Sequence, residues 1–206
     1  MPTSRETQRA PAWGADLPLD EAQARERILD AAEKCYVEMG PARSKMTHIA
    51  TRAGIHRTTV YSYFPNREAV LAACYLRATN AVLEAAERCW QTDKPFIDQL
   101  IDACVMSLRL SRESPVMSAL ISPDEFARTV LATKSSEGWQ ALLDNVLARR
   151  LADAVHDGEV RSDVPTRTLV DWVTRICMSL AAVPSLERDG GDEGVLRAFL
   201  PRSLAP

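Results

Sequence analysis

Arg57, Thr58 and Tyr61 stand at positions i, i+1 and i+4 of one short polar stretch, and together they carry donors and methyl groups able to read base edges. A guanidinium forks two N–H groups to guanine O6 and N7, a threonine touches a thymine methyl or a phosphate, and a phenol does either. Around them, Lys45, Thr47, Thr59 and Tyr63 suit backbone oxygens, and Arg67 sits in the first turn of a following helix, where the dipole also favours phosphate. The charge pattern agrees. Residues 41–67 hold five Lys/Arg (Arg43, Lys45, Arg52, Arg57, Arg67) and no acid, whereas residues 1–40 hold five against eight and residues 68–206 fifteen against twenty. A chain of formal net charge −3 with one acid-free basic window points to a local polyanion site. A chance cluster on a solvated face is the bland alternative.

Other chemistry finds little footing. His48, His56 and His156 lack ligand spacing, and Cys35, Cys74, Cys89, Cys104 and Cys177 contain no CxxC pair. Such cysteines fit reduced thiols in a cytoplasm, not a disulfide framework. There is no GxSxG, no phosphate-cradling glycine loop and no HExxH. Asp153-Ala154-Val155-His156 approaches the ExxH of di-iron bundles, with the wrong acid and no second copy. No catalytic residue, metal site or cofactor is assigned, and a helical-bundle enzyme is kept only as a distant alternative.

The elements that must position these residues read as helical throughout. With 206 residues, 46% hydrophobic and 26% charged, the chain can bury one good core or two small ones. Its best apolar run, Ile176 to Val183, includes Ser179 and falls far short of the ~18 residues of a membrane span. Met1 to Gly14 lacks the apolar stretch of a signal peptide. A cytoplasmic protein without a membrane partner is expected. Residues 1–18 lack periodicity and form a disordered arm; Arg5 and Arg9 in it have the charge for a minor groove, plain disorder being the simpler reading.

Asp20 opens a helical pattern with Ile28, Ala32 and Met39 on one face, closed by Gly40-Pro41. Ser44 is placed to cap Lys45 to Arg52, and Gly54 in Ala53-Gly54-Ile55 suits a positive φ. His56 to Tyr63 follows, with Val60 and Phe64 on one face, and Asn66 caps a long helix from Arg67 to about Trp90. Further helices run from Thr92 to Leu110, from Ser114-Pro115, from the capping box Ser122-Pro123-Asp124-Glu125, from Ser135 or Ser136 to His156, from Asp163 to Pro184, and from Asp192 to Leu200. No run alternates with period two. The expectation is an all-α chain of about nine helices: a three-helix basic head in which a Gly turn joins two short helices, then an acidic helical bundle.

Ile49-Ala50-Thr51-Arg52-Ala53-Gly54-Ile55 and Thr59-Val60-Tyr61-Ser62-Tyr63-Phe64-Pro65-Asn66-Arg67-Glu68-Ala69-Val70 resemble the signature of the tetracycline-repressor (TetR) family of bacterial regulators. That signature runs roughly IA-xx-AGV-xxx-TLY-x-(H/Y)F-xx-(K/R)-xx-L, preceded by a helix like Arg27 to Ala32, and the likeness spans about residues 24–72. It implies a homodimer whose helix-turn-helix head (residues 19–66) binds palindromic double-stranded DNA, with a bundle (residues 67–206) for dimerisation and a small-molecule inducer. Carried over, base contact falls to Arg57, Thr58 and Tyr61, and phosphate contact to Lys45, Thr47, Thr59, Tyr63 and Arg67. Two positions depart. His56 stands where a capping serine is common and is a poorer cap, so either the helix start is looser or His56 touches DNA. Tyr63 replaces a frequent histidine, and its phenol still donates to phosphate.

Beyond residue 72 only patterns remain. Leu143, Leu147, Leu151 and Val155 form a four-spaced stripe, and Val170, Val173, Cys177 and Leu180 a 3-4-3 stripe. The resemblance implies that such helices build a four-helix dimer seam; packing within one chain is the alternative. Candidate linings of a ligand cavity are Leu83, Trp90, Phe96, Cys104, Met106, Met117, Phe126 and Trp139, ordinary core being the simpler reading of each. The expected function is a ligand-responsive repressor, associated with the nucleoid when bound to DNA and released by an apolar or amphipathic effector. Ligand-independent regulation, or activation, is the alternative.

Overall fold

The computed structural model of the chain describes residues 18, 20–134, 136–187 and 190–206. Arg5 and Arg9 of the expected arm, and Ser135 as an alternative cap, lie outside the described residues. The chain divides into two compact units, one ending at Val70 and the other running from Leu71 to Pro206. Among the described residues there is no β-strand.

In the first unit, α1 (Glu21–Met39) starts at Asp20, whose Oδ1 accepts the Gln23 N–H at 2.8 Å. One face of α1, including Ile28, Ala32, Cys35 and Tyr36, is buried. The helix stops at Gly40, which adopts φ +80°. Next comes α2 (Met46–Ala53). Ser44 does not cap it: the side chain is buried, and its Oγ donates to the Gly40 carbonyl at 2.8 Å. The orphaned carbonyls at the end of α1 take the hydroxyl, and Lys45 stands at the cap, its N–H donating to His48 Nδ1 at 3.4 Å. Gly54 then turns the chain in the left-handed region (φ 69°, ψ 35°), and α3 (Arg57–Tyr63) follows with Val60 buried and Phe64 just beyond it. Asn66 Oδ1 accepts the Ala69 N–H at 2.7 Å and so caps α4 (Arg67–Ala86), which gives way to a 3-10 turn over Glu87–Trp90.

The second unit adds α5 (Phe96–Glu113), α6 (Pro115–Leu120), α7 (Phe126–Lys134) and α8 (Glu137–Leu143). A π-helical turn, Asp144–Ala148, passes into α9 (Arg149–His156), followed by α10 (Thr166–Ala182) and α11 (Gly191–Leu204). Ser136 caps α8 through the Trp139 N–H at 3.2 Å. The Pro123–Glu125 stretch is a turn, with the Ser122 carbonyl accepting from Glu125 and Phe126 at 2.9 Å, so α7 begins later than a capping box at Ser122 predicts. Helix α11 continues past Leu200 because Leu196, Leu200 and Leu204 form a buried four-spaced stripe.

Leu100, Ile101, Leu151, Leu196, Leu200 and Leu204, each at most 1% exposed, form the heart of this unit. Its core also takes both stripes assigned above to a dimer seam. Leu147, Leu151, Val170, Val173 and Leu180 are buried in it, and Leu143, Val155 and Cys177 pack against it. A side chain already buried by its own chain has little area left to bury against a second copy. Five of the eight are thus core of the single chain, while Leu143, Val155 and Cys177 keep part of their surface exposed.

Candidate functional site

On the first unit, α3 turns Val60 inward and leaves His56, Arg57, Thr58 and Tyr61 exposed, with Lys45 and Thr47 exposed at the start of α2. Arg57 Nη2 donates to Tyr61 Oη at 3.0 Å, and the guanidinium carbon lies 5.2 Å from the ring centroid. The phenol uses one of the five guanidinium donors and restrains the rest. Tyr63 and Arg67 are half-buried. Thr59 is different: it lies beside Val60 on the inner side and is only 7% exposed, which removes it from the residues placed to reach a phosphate.

Three contacts that spacing alone does not reveal hold this surface. Arg25, on α1, donates to the Tyr63 carbonyl at 2.7 Å and lies 4.3 Å over the Phe64 ring, so a cation meets the carbonyl end of α3. Arg67 donates to the Ala42 carbonyl at 3.0 Å and ties the start of α4 to the turn before α2. Arg52 forms a two-bond ion pair with Glu38, which holds that carboxyl below its ordinary range. Arg52 thus contributes little net charge outward. Arg43 donates to the Met39 carbonyl at 2.6 Å, so its partner, like those of Arg57 and Arg67, is a neutral oxygen and not a carboxylate. The result is a cationic surface around an exposed, pre-set α3.

The second unit holds a partly open cavity of about 140 Å³ between α4, α5, α8 and α10. Leu83, Trp90, Cys104, Met117 and Trp139 of the candidates line it, while Phe96, Met106 and Phe126 do not. On α5 the lining positions are Leu100, Ala103, Cys104, Ser107, Leu108 and Ser111, and Met106 falls on the opposite side of that helix, its sulfur 3.1 Å from Arg109 Nη2. Phe96 packs on Trp90 with centroids 5.9 Å apart and belongs to the core. No residue of α7, where Phe126 lies, reaches the lining.

The wall carries hydroxyls (Tyr75, Thr79, Ser107, Ser111, Thr174) and no charged side chain. Burial pushes the Tyr75 hydroxyl up to about 12 against a smaller opposing pull from Thr79, and its ring lies 5.7 Å from that of Trp139. Such a lining accepts apolar surface with one or two hydrogen bonds and resists a bare charge. No helix among the described residues is long and apolar enough to cross a membrane.

Residues 28–74 match the family described as bacterial regulatory proteins, tetR family. Over 160 residues the chain is 31% identical to an uncharacterised HTH-type transcriptional regulator of Mycobacterium bovis (strain ATCC BAA-935 / AF2122/97), covering 78% of this chain and 81% of that protein. Among solved structures, a putative tetR family transcription regulator from Shewanella sp. PV-4 matches with a TM-score of 0.63 at 14% identity, over 88% of this chain and 98% of the other. The transcriptional regulator FadR from Bacillus subtilis, in complex with stearoyl-CoA, matches with a TM-score of 0.60 at 18% identity, over 86% and 95%.

Proposed function

The chain belongs to the tetR family of bacterial transcriptional regulators, and from this we propose that it is a ligand-responsive repressor, a homodimer that occupies a palindromic operator and leaves it when a small apolar or amphipathic effector binds. The observation that carries this reading is the exposed Arg57–Tyr61 face of α3 inside a window with no acid. A recognition helix so equipped enters the major groove, and Lys45, Thr47, Tyr63 and Arg67 supply backbone contacts that fix its register.

The effector site is the cavity. Helix α4 begins at Arg67 in the first unit and supplies Tyr75, Thr79 and Leu83 to the cavity wall, so a ligand that favours another packing of α4 acts on a helix continuous with the DNA-binding unit. A differential affinity of ~1–3 kcal/mol lowers DNA affinity about 5- to 150-fold. At about 140 Å³ the cavity suits a benzene-sized group, and a longer effector would extend through its open side. Stearoyl-CoA, seen with the Bacillus subtilis neighbour, is the first long compound to try.

The test is fluorescence anisotropy of the full chain on duplexes carrying inverted repeats from its own upstream region. Tight binding at low salt that weakens on effector addition supports the reading, and indifference to every such duplex sinks it. A ligand-independent regulator is the second reading, favoured by the small cavity. Operator binding that no compound in a thermal-shift panel releases selects it.

A further inference from the structure

Cys104 on α5 and Cys177 on α10 face each other across the cavity wall, with the Cys177 Sγ 3.3 Å from the Cys104 Sγ. Both are free thiols, and they stand 73 residues apart in the chain. Two sulfurs already in contact need to close by only about 1.2 Å to reach the ~2.05 Å of a disulfide. A thiol pair serving only as packing has no need of an opening, yet this pair borders an apolar cavity. We propose that Cys104 and Cys177 form a reversible dithiol–disulfide site, oxidised by an apolar organic hydroperoxide that enters the cavity.

The roles differ. Cys104 is buried at 8% exposure whereas Cys177 is half-buried, so an incoming peroxide meets the Cys177 sulfur first. The attacker is therefore Cys177: its sulfur takes the terminal oxygen of ROOH, the O–O bond breaks, and the departing alkoxide leaves as ROH with the Cys177 proton. Cys104 then displaces hydroxide from the Cys177 sulfenic acid, the S–S bond forms, and its proton leaves in water. Two thiols lose two electrons, and the peroxide becomes one alcohol and one water. Apolar walls bar a charged oxidant and favour an oxidant with a hydrocarbon body, because desolvating charge in such a cavity is costly. Closure links α5 to α10 within the second unit. This site is independent of the operator reading, since its first readout is chemical.

The experiment exposes the reduced full chain to cumene hydroperoxide, quenches it, and counts thiols in denaturant with intact mass and peptide mapping. The expected result is a fall from five free thiols to three, loss of two hydrogens, and one crosslink joining the peptides of Cys104 and Cys177, all reversed by dithiothreitol. Cys104→Ser is expected to yield no crosslink but a sulfenic acid on Cys177 that dimedone traps, and Cys177→Ser to keep its four thiols. Retention of all five thiols, a crosslink through Cys35, Cys74 or Cys89, or oxidation that ends as sulfinic acid on Cys177 in the unaltered chain overturns the proposal. Should the crosslink form while operator binding proves absent, the site stands and only the repressor reading fails.

Discussion

Arg57 and Tyr61 hold each other on the open side of α3, so the groups proposed to read bases are ordered in the free chain. Pre-ordering lowers the entropy lost on binding. Arg57→Ala is expected to cost about 1–3 kcal/mol of operator affinity and to relax preference at one base pair, whereas Lys45→Ala weakens all duplexes alike and shallows the salt dependence by about one ion. Anisotropy titrations on an operator and on base-substituted variants, over a salt series, separate the two. Tyr75 offers a different test. Its folded hydroxyl titrates near 12 because it is buried, above the ~10 of an exposed phenol. The neutral form is favoured by folding, so this stability is intact below pH 10 and is lost as pH rises from about 10 towards 12, at roughly 1 kcal/mol per unit. Denaturant unfolding between pH 8 and 11.5 should show that slope, and Tyr75→Phe should flatten it.

Between α2 and α3 the geometry depends on Gly54, whose φ of +69° places it where a Cβ is strained. Gly54→Ala is expected to cost about 1–2 kcal/mol, read as a lowered midpoint of thermal unfolding, and to reduce operator affinity by shifting α3 against α2. That turn was legible in the sequence, as were the helix start at Asp20 and the cap at Asn66, because each is settled within a few residues: the donors at Gln23 and Ala69 lie three positions on. Local signals failed where two demands compete. Ser44 could cap α2 or answer the end of α1, and it does the latter. The π turn at Asp144–Ala148 contains neither glycine nor proline and leaves no mark in the spacing, yet it occurs where Leu147 joins the core. Periodicity showed that the Leu143–Val155 and Val170–Leu180 stripes face something, but not whether that something is the same chain. Arg25 reaching Tyr63 is a contact across 38 residues, beyond any local pattern.

The chain concentrates its acid-free basic window in one unit and leaves residues 68–206 with twenty acids against fifteen bases. A polyanion is thus attracted to the first unit and repelled elsewhere, which favours productive encounters at low salt. A palindrome further calls for two such units related by a two-fold axis. In the proposed homodimer a second copy would meet the groove of about 910 Å³ between α8, α9 and α10, a face that Leu143 and Val170 of the two stripes also reach. Ala148 and Ala152 leave room there for close approach, and Arg149, Arg167 and Arg175 mix with Asp144 and Asp171. In a two-fold interface each residue meets its counterpart's neighbours, so a surface with both charge signs can complement itself. Ala152→Arg places bulk and like charge at that axis while leaving the core untouched, since Ala152 is exposed in the single chain. Light scattering after gel filtration should read two chains for the unaltered protein and one for the variant, with a loss of operator affinity of about tenfold or more, or ~1.4 kcal/mol. A variant that remains paired moves the seam to another face, and an unaltered protein that is monomeric on its operator removes the two-fold reading altogether.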